Sequence, residues 1–255
     1  MLIDEILAYL FDGQPHLLEQ SLATWLASSR RFVTFATTFR DKIRKKVRTT
    51  QEPENILDLR LELETAYLLL QERSLSLVYE PLPPGQARAP DFAVTFTTSL
   101  TFMVEVTRLR AEAKESPVET DSSPSTVLAS NAASAAPLVD ERLADTICSK
   151  LGQLLPQHSN VLLIGAEALR LTQDDLRATM LYIQQRVEGN DADFLRRYRL
   201  RNRGDFFRHY QRLSEIIVRG PDWPATEPPI VWVNPQAKHS LPSKVRTVLY
   251  RSHGG

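Results

Sequence analysis

The stretch "NVLLIG", residues 160 to 165, limits the possible folds more than any other part of the chain. Val161, Leu162, Leu163 and Ile164 follow one another without alternation, so a strand here is apolar on both faces and must be covered on both. The neighbouring segments supply covers. Upstream, "LVDERLADTICSKLGQLLP" places Leu138, Leu143, Ile147, Leu151 and Leu154 at helical spacing. Downstream, "TQDDLRATMLYIQQR" opens on Thr172 as an N-cap with acids in its first turn.

The rest of the chain falls in line with a helix-flanked sheet. Residues 2–48 repeat apolar residues at helical spacing (Leu2, Ile6, Leu10, then Leu18, Leu22, Trp25, then Phe32, Phe35, Phe39, Ile43), with breaks at Gly13-Gln14-Pro15 and Ser28-Ser29. This predicts an N-terminal helical extension over 1–50. A helix follows, with Asn55 as its N-cap, Leu59, Leu63, Ala66, Tyr67 and Leu70 on one face, and an end near Ser74. At Leu75 the period changes to two: "LSLVYEPLP", a turn at "PPGQARAP", then "DFAVTFT" and "LTFMVEVTRL" read as three strands. Residues 111–137 lose all periodicity in favour of Ser, Ala, Pro, Thr and acids, which predicts a flexible surface insertion. Beyond Gly165, a basic helical stretch, the strands "SEIIVRG" and "PIVWVN", and a last helix in "PSKVRTVLYR" form a C-terminal α/β extension that widens the sheet. Residues 51–255 are thus read as one α/β domain with the core order α-β-β-β-α-β.

Composition narrows the function. Across 255 residues, 31 basic and 31 acidic side chains cancel, so attraction to nucleic acid must come from local patches. The single cysteine, Cys148, excludes a disulfide framework and is read as a small buried residue. "MLIDEILAYLFDG" has acids inside its apolar run and no basic leader, so neither a signal peptide nor a membrane span is expected, and the reading is cytoplasmic. The five histidines show no zinc spacing, and no glycine-rich phosphate loop is present.

Two carboxylates stand where strands should be apolar. Asp91 opens the second strand after Pro90, and Glu105 lies in "TFMVEV" of the third, on the same strand face as Thr107. A carboxylate near a core costs several kcal/mol unless a partner or cation compensates it, and magnesium is held by such hard oxygens. The preceding helix adds Glu62 and Glu64. The plainer alternative has Asp91 capping a turn after Pro90, with Glu105 paired to Arg108 or to a helix arginine.

These residues, "Pro90-Asp91", "Glu105-Val106-Thr107", an acid on the helix before the first strand, and the α-β-β-β-α-β order, resemble the PD-(D/E)XK nuclease superfamily over about Asn55 to Gly165. The resemblance implies a restriction-endonuclease-like fold and metal-dependent hydrolysis of phosphodiesters. Asp91, Glu105 and Glu62 would then hold Mg2+ or Mn2+, with nucleic acid, DNA first, as partner. Thr107 departs from the pattern, since the superfamily places a lysine there. Lys150, on the helix before "NVLLIG" with Gln153 three residues on, is the replacement the sequence offers, making Asp91, Glu105 and Lys150 the catalytic set. The alternative is a nuclease-fold protein that binds nucleic acid or a protein partner without cutting. Two basic clusters are candidate phosphate contacts: Arg44, Lys45 and Lys46, and Arg196, Arg197, Arg199, Arg201 and Arg203, the latter interleaved with Tyr198, Phe206, Phe207 and Tyr210 as stacking candidates.

Overall fold

The computed structural model describes residues 2–82, 89–110, 141–166, 169–220 and 229–252. The expected insertion at 111–137, Leu138 and most of the expected turn at 83–90 lie outside the described residues. Five helices come first: α1 (Ile3–Phe11), α2 (Glu19–Ser28), α3 (Arg30–Thr38), α4 (Arg40–Thr49) and α5 (Pro53–Gln71). Then follow β1 (Leu75–Tyr79), β2 (Phe92–Phe96), β3 (Leu100–Arg108), α6 (Glu141–Leu151) and β4 (Asn160–Gly165). The chain continues through α7 (Gln173–Glu188), α8 (Ala192–Arg197), α9 (Arg203–Tyr210), β5 (Leu213–Arg219), β6 (Ile230–Val233) and α10 (Ser243–Ser252). From α5 to β4 the order is α-β-β-β-α-β.

The strands form one six-stranded sheet in sequence order. β1, β2 and β3 are antiparallel neighbours, β3–β4 and β4–β5 are parallel, and β6 returns antiparallel on β5. β4 is central and buried along its whole length. Each of its aliphatic side chains contributes about 1.5–3 kcal/mol by leaving water. Alternate β4 residues enter opposite cores: Val161 and Leu163 join the layer built by α1–α5 and α10, while Leu162 and Ile164 join the layer of α6–α9. The N-terminal helices therefore share one core with the sheet. Asn160, the polar start of this strand, is buried because its amide ties down the preceding loop and the β4–β5 bulge: Nδ2 donates to Leu155 O and Arg212 O, and its backbone N–H donates to Ser214 Oγ.

Two local readings are corrected. α5 begins at Pro53, with Glu52 as N-cap and Asn55 inside the helix, because proline suits a first turn where no N–H is needed. Its burial also exceeds one stripe: Leu61 and Leu69 are as buried as Leu59 and Leu63, since α5 is covered by α3, α4 and α10 as well as by β1 and β3. The basic stretch after α7 is two helices, broken where Arg199 takes a left-handed conformation (φ 57°) and Asn202 caps α9.

α10 closes the first layer. Val245 and Leu249 enter its core, while Arg246 and the Tyr250 hydroxyl both donate to Glu215, a fully buried β5 carboxylate. Arg251 then reaches Glu72 beyond the end of α5 at 2.6 and 2.8 Å.

Gly165 shows how closely α5 rests on the sheet: a Cβ there would lie 2.6 Å from Leu61 Cδ2. Gly165→Ala should therefore destabilise the protein by roughly 1–3 kcal/mol through overpacking. In a Gly165→Ala, Leu61→Ala double variant the two costs should be less than additive. Urea unfolding of the two single variants and the double variant measures this, and a neutral Gly165→Ala would show that the helix can lift away freely.

Candidate functional site

The site forms where β2 stops and β3 continues. β2 pairs with β3 only as far as Phe92 opposite Val104, while β3 runs on beside β4 through Glu105, Val106, Thr107 and Arg108. The Val106 amide, just past the last β2 pair, is taken by a side chain: Asp91 Oδ2 accepts its N–H at 2.7 Å. Extending the β2–β3 register by one residue sets Asp91 level with Glu105. Asp91 is thus neither a turn cap nor a solvated loop acid; it replaces the missing strand at a fork in the sheet. The parity of the pleat turns Glu105 away from the Phe102, Val104 and Val106 face and toward α6.

Glu105 is buried, and the Lys150 ammonium donates to its Oε1 at 2.8 Å, with Gln153 Oε1 at 3.5 Å from the same nitrogen. Lys150 reaches it because α6 crosses the sheet between the parallel strands β3 and β4. Arg108, the alternative partner, is committed elsewhere, to Glu54 and to Asp58 at 3.1 Å. Thr107 follows on the same β3 face as Glu105, half-buried.

Glu62 and Glu64 separate clearly. Glu64 pairs with Arg219 at 3.4 Å, away from the fork. Glu62 faces it, held by Lys46 at 2.6 Å, and Lys46 also reaches Glu80 at 2.8 Å. The Lys46 ammonium lies 5.0 Å from the Tyr79 ring centroid. Tyr79 itself is fully buried, and its hydroxyl sits beside Glu62 without a hydrogen bond of good geometry. Burial and then the Glu62 and Glu105 charges hold the Asp91 carboxyl well above the usual carboxylate range, against the Val106 hydrogen bond and Lys46. Burial opposes the charge on Lys46, but Glu62 and Glu80 overcome it and raise its pKa. Two ion-paired groups thus meet at Asp91 from opposite faces of the sheet, Lys46 with Glu62 and Glu80 on the α5 side and Lys150 with Glu105 on the α6 side, and carboxylates outnumber ammonium groups four to two.

That excess, made of hard oxygen donors only, suits a divalent cation such as magnesium. Among the described residues no three His, Cys, Asp or Glu side chains converge into a complete cage; magnesium needs only one or two carboxylates and completes its shell with water and phosphate.

The basic clusters divide. Lys46 and Arg44 turn inward, Arg44 onto Asp12 and over the Tyr9 ring, whereas Lys45 is exposed and without an ion pair among the described residues. In the second cluster Arg196 pairs with Asp193 and Arg197 with Asp145, both remaining exposed. Arg199 and Arg201 are exposed without an ion pair among the described residues, and Arg203 stacks on Phe207. Phe206 and Tyr210 are fully buried, so they are core residues and cannot stack on bases. The clusters lie on opposite layers of the sheet.

Sequence reasoning missed Glu80 and Tyr79 and misplaced Lys46. The signal for Lys46 was its helical spacing, three residues after the buried Ile43 and one before Val47. Glu80 carries no such signal.

The raised Asp91 pKa fixes the sign of a pH effect. An unfolded aspartate titrates near pH 4, whereas native Asp91 keeps its proton to higher pH. In that window the native chain binds more protons, so its contribution to stability falls as pH rises and stays lower above it. Asp91→Asn keeps an oxygen for the Val106 N–H and removes the titration. In metal-free buffer the melting temperature of the variant relative to wild type should climb as the pH rises above about 4; parallel profiles would place Asp91 in an ordinary solvated setting.

No family model, no curated protein and no solved structure matches this chain.

Proposed function

We propose that the protein is a divalent-metal-dependent nuclease of restriction-endonuclease-like type, with Asp91 and Glu105 as metal ligands and Lys150 as the catalytic cation. The observation that carries this reading is the Lys150–Glu105 contact of 2.8 Å at the fork beside Asp91, which supplies from α6 the ammonium that Thr107 cannot. The α-β-β-β-α-β order around the fork supports the same reading.

When bound, the cation supplies Lewis-acid polarisation of a phosphodiester and a more acidic attacking water. The chain's own residues do the rest. Asp91 and Glu105 are fixed before substrate arrives, one by the Val106 N–H and the other by Lys150. Lys150 holds a fixed positive charge in a mostly dry setting, where it offsets charge that develops on the phosphate in the transition state. Exposed Lys45, Arg199 and Arg201 can meet a phosphate backbone. Thr107 favours the second reading, a nuclease-fold protein that binds nucleic acid without cutting it.

Assays of single- and double-stranded DNA and RNA with magnesium or manganese decide between them. An active wild type should lose about 10²-fold or more in rate in Lys150→Ala, while retaining most of its metal affinity. Should wild type fail to cleave and Thr107→Lys gain activity, the binding reading holds; inactivity of both removes the nuclease assignment.

A second measurement concerns the patches. Binding without metal should weaken with salt. When Lys45, Arg199 and Arg201 are replaced by Gln, the log-log slope should shrink by about one unit for each phosphate no longer neutralised. An unchanged slope leaves these residues as solvated surface.

A further inference from the structure

We infer that Lys46 stands in for a second cation: its ammonium, seated between Glu62 and Glu80, restricts the site to one divalent ion at Asp91 and Glu105 and makes Lys46 a positioning residue for Glu62. This rests on the metal reading above and specifies its stoichiometry.

Lys46 is built into the site. α4 buries Ile43 and Val47 against the first core, which points the intervening Lys46 toward the sheet, while Lys45 stays outside. Its nitrogen makes two charge-assisted contacts, 2.6 Å to Glu62 and 2.8 Å to Glu80, over the face of Tyr79. Glu80 is brought there by an unusual backbone: it is left-handed (φ 43°), a conformation that a non-glycine residue holds only when its surroundings fix it. They do so here, since Glu80 N–H donates to Asp91 O at 2.8 Å and Lys42 Nζ donates to both Tyr79 O and Glu80 O at 2.8 Å.

The result resembles a cation site already filled from within. A divalent ion bridging Glu62 and Glu80 would need the position that Lys46 fills, where its ammonium touches one oxygen of each. Among the described residues no ammonium bridges Asp91 and Glu105 in this way: Asp91 spends one oxygen on a neutral amide, and Lys150 meets Glu105 alone, at Oε1. Lys46 offsets one of the two carboxylate charges and fills the space between Glu62 and Glu80, which leaves the Asp91–Glu105 end of the cluster for a divalent ion.

Titration calorimetry with Mn2+ on the full chain tests this. Wild type should bind one ion per chain. Lys46→Met, which keeps the stem and removes the charge, should bind two, and Lys46→Arg should return to one. Glu62→Gln should leave the single wild-type site within a few-fold in affinity, which also serves if Lys46→Met does not fold. Two ions in wild type, one in a folded Lys46→Met, or loss of binding in Glu62→Gln would each overturn the inference while leaving a metal site in place. No binding to any of the proteins would overturn the metal reading and this inference together.

Discussion

The parallel pairing of β3 with β4 is the constraint on which the rest of the structure depends. Parallel neighbours cannot be joined by a tight turn, so the chain must leave the sheet, cross one face and return. The crossing places α6 over β3 and Lys150 over Glu105. It also makes β4 an interior strand with no wet face, which requires a second helical layer on the other side. α1–α5 and α10 provide that layer. The fold and the lysine at the fork are two results of one topological requirement.

The fork follows from unequal strand lengths. β3 extends four residues past the point where β2 begins, and its backbone there needs a partner on the open side. A carboxylate satisfies it, which brings negative charge into a place that already holds Glu105. α5 and the end of β1 then add Glu62 and Glu80. Each acid except Asp91 has an ammonium at contact distance, and burial first, then the Glu62 and Glu105 charges, make Asp91 reluctant to ionise.

Much of this was legible in the sequence, and the limits have a physical basis. Strand and helix order could be read because burial repeats with a fixed period, and β4 declared itself by having no period at all. Lys150 came from the resemblance, as the lysine of the following helix that could replace the one missing at Thr107, and the structure brings its ammonium to Glu105. The choice of Glu62 over Glu64 was not legible, because α5 is buried on several sides and its sequence carries no single face to orient the acids. Lys46 is sixteen residues from Glu62 in the chain and in a different helix, and its charge reads the same in a sequence whether it meets solvent or a carboxylate. The aromatics Phe206 and Tyr210 misled for the same reason: interleaving with arginine describes composition, while their helical spacing of four sends both into the core.

The Glu215 anchor bears on how such a chain reaches its native state. Glu215 on β5 is fully buried, and its two donors arrive from α10, 31 and 35 residues later, while Arg251 of the same helix is 179 residues from its partner Glu72. Until α10 docks, the buried carboxylate lacks its donors and the first core stands open along α5. Contacts of such long range must close large loops before they repay the entropy of closing them, which slows folding. During synthesis, β1 to β5 would therefore emerge with the part of the first core beside α5 still uncovered and wait for α10, a stage at which that apolar surface is open to association with other chains.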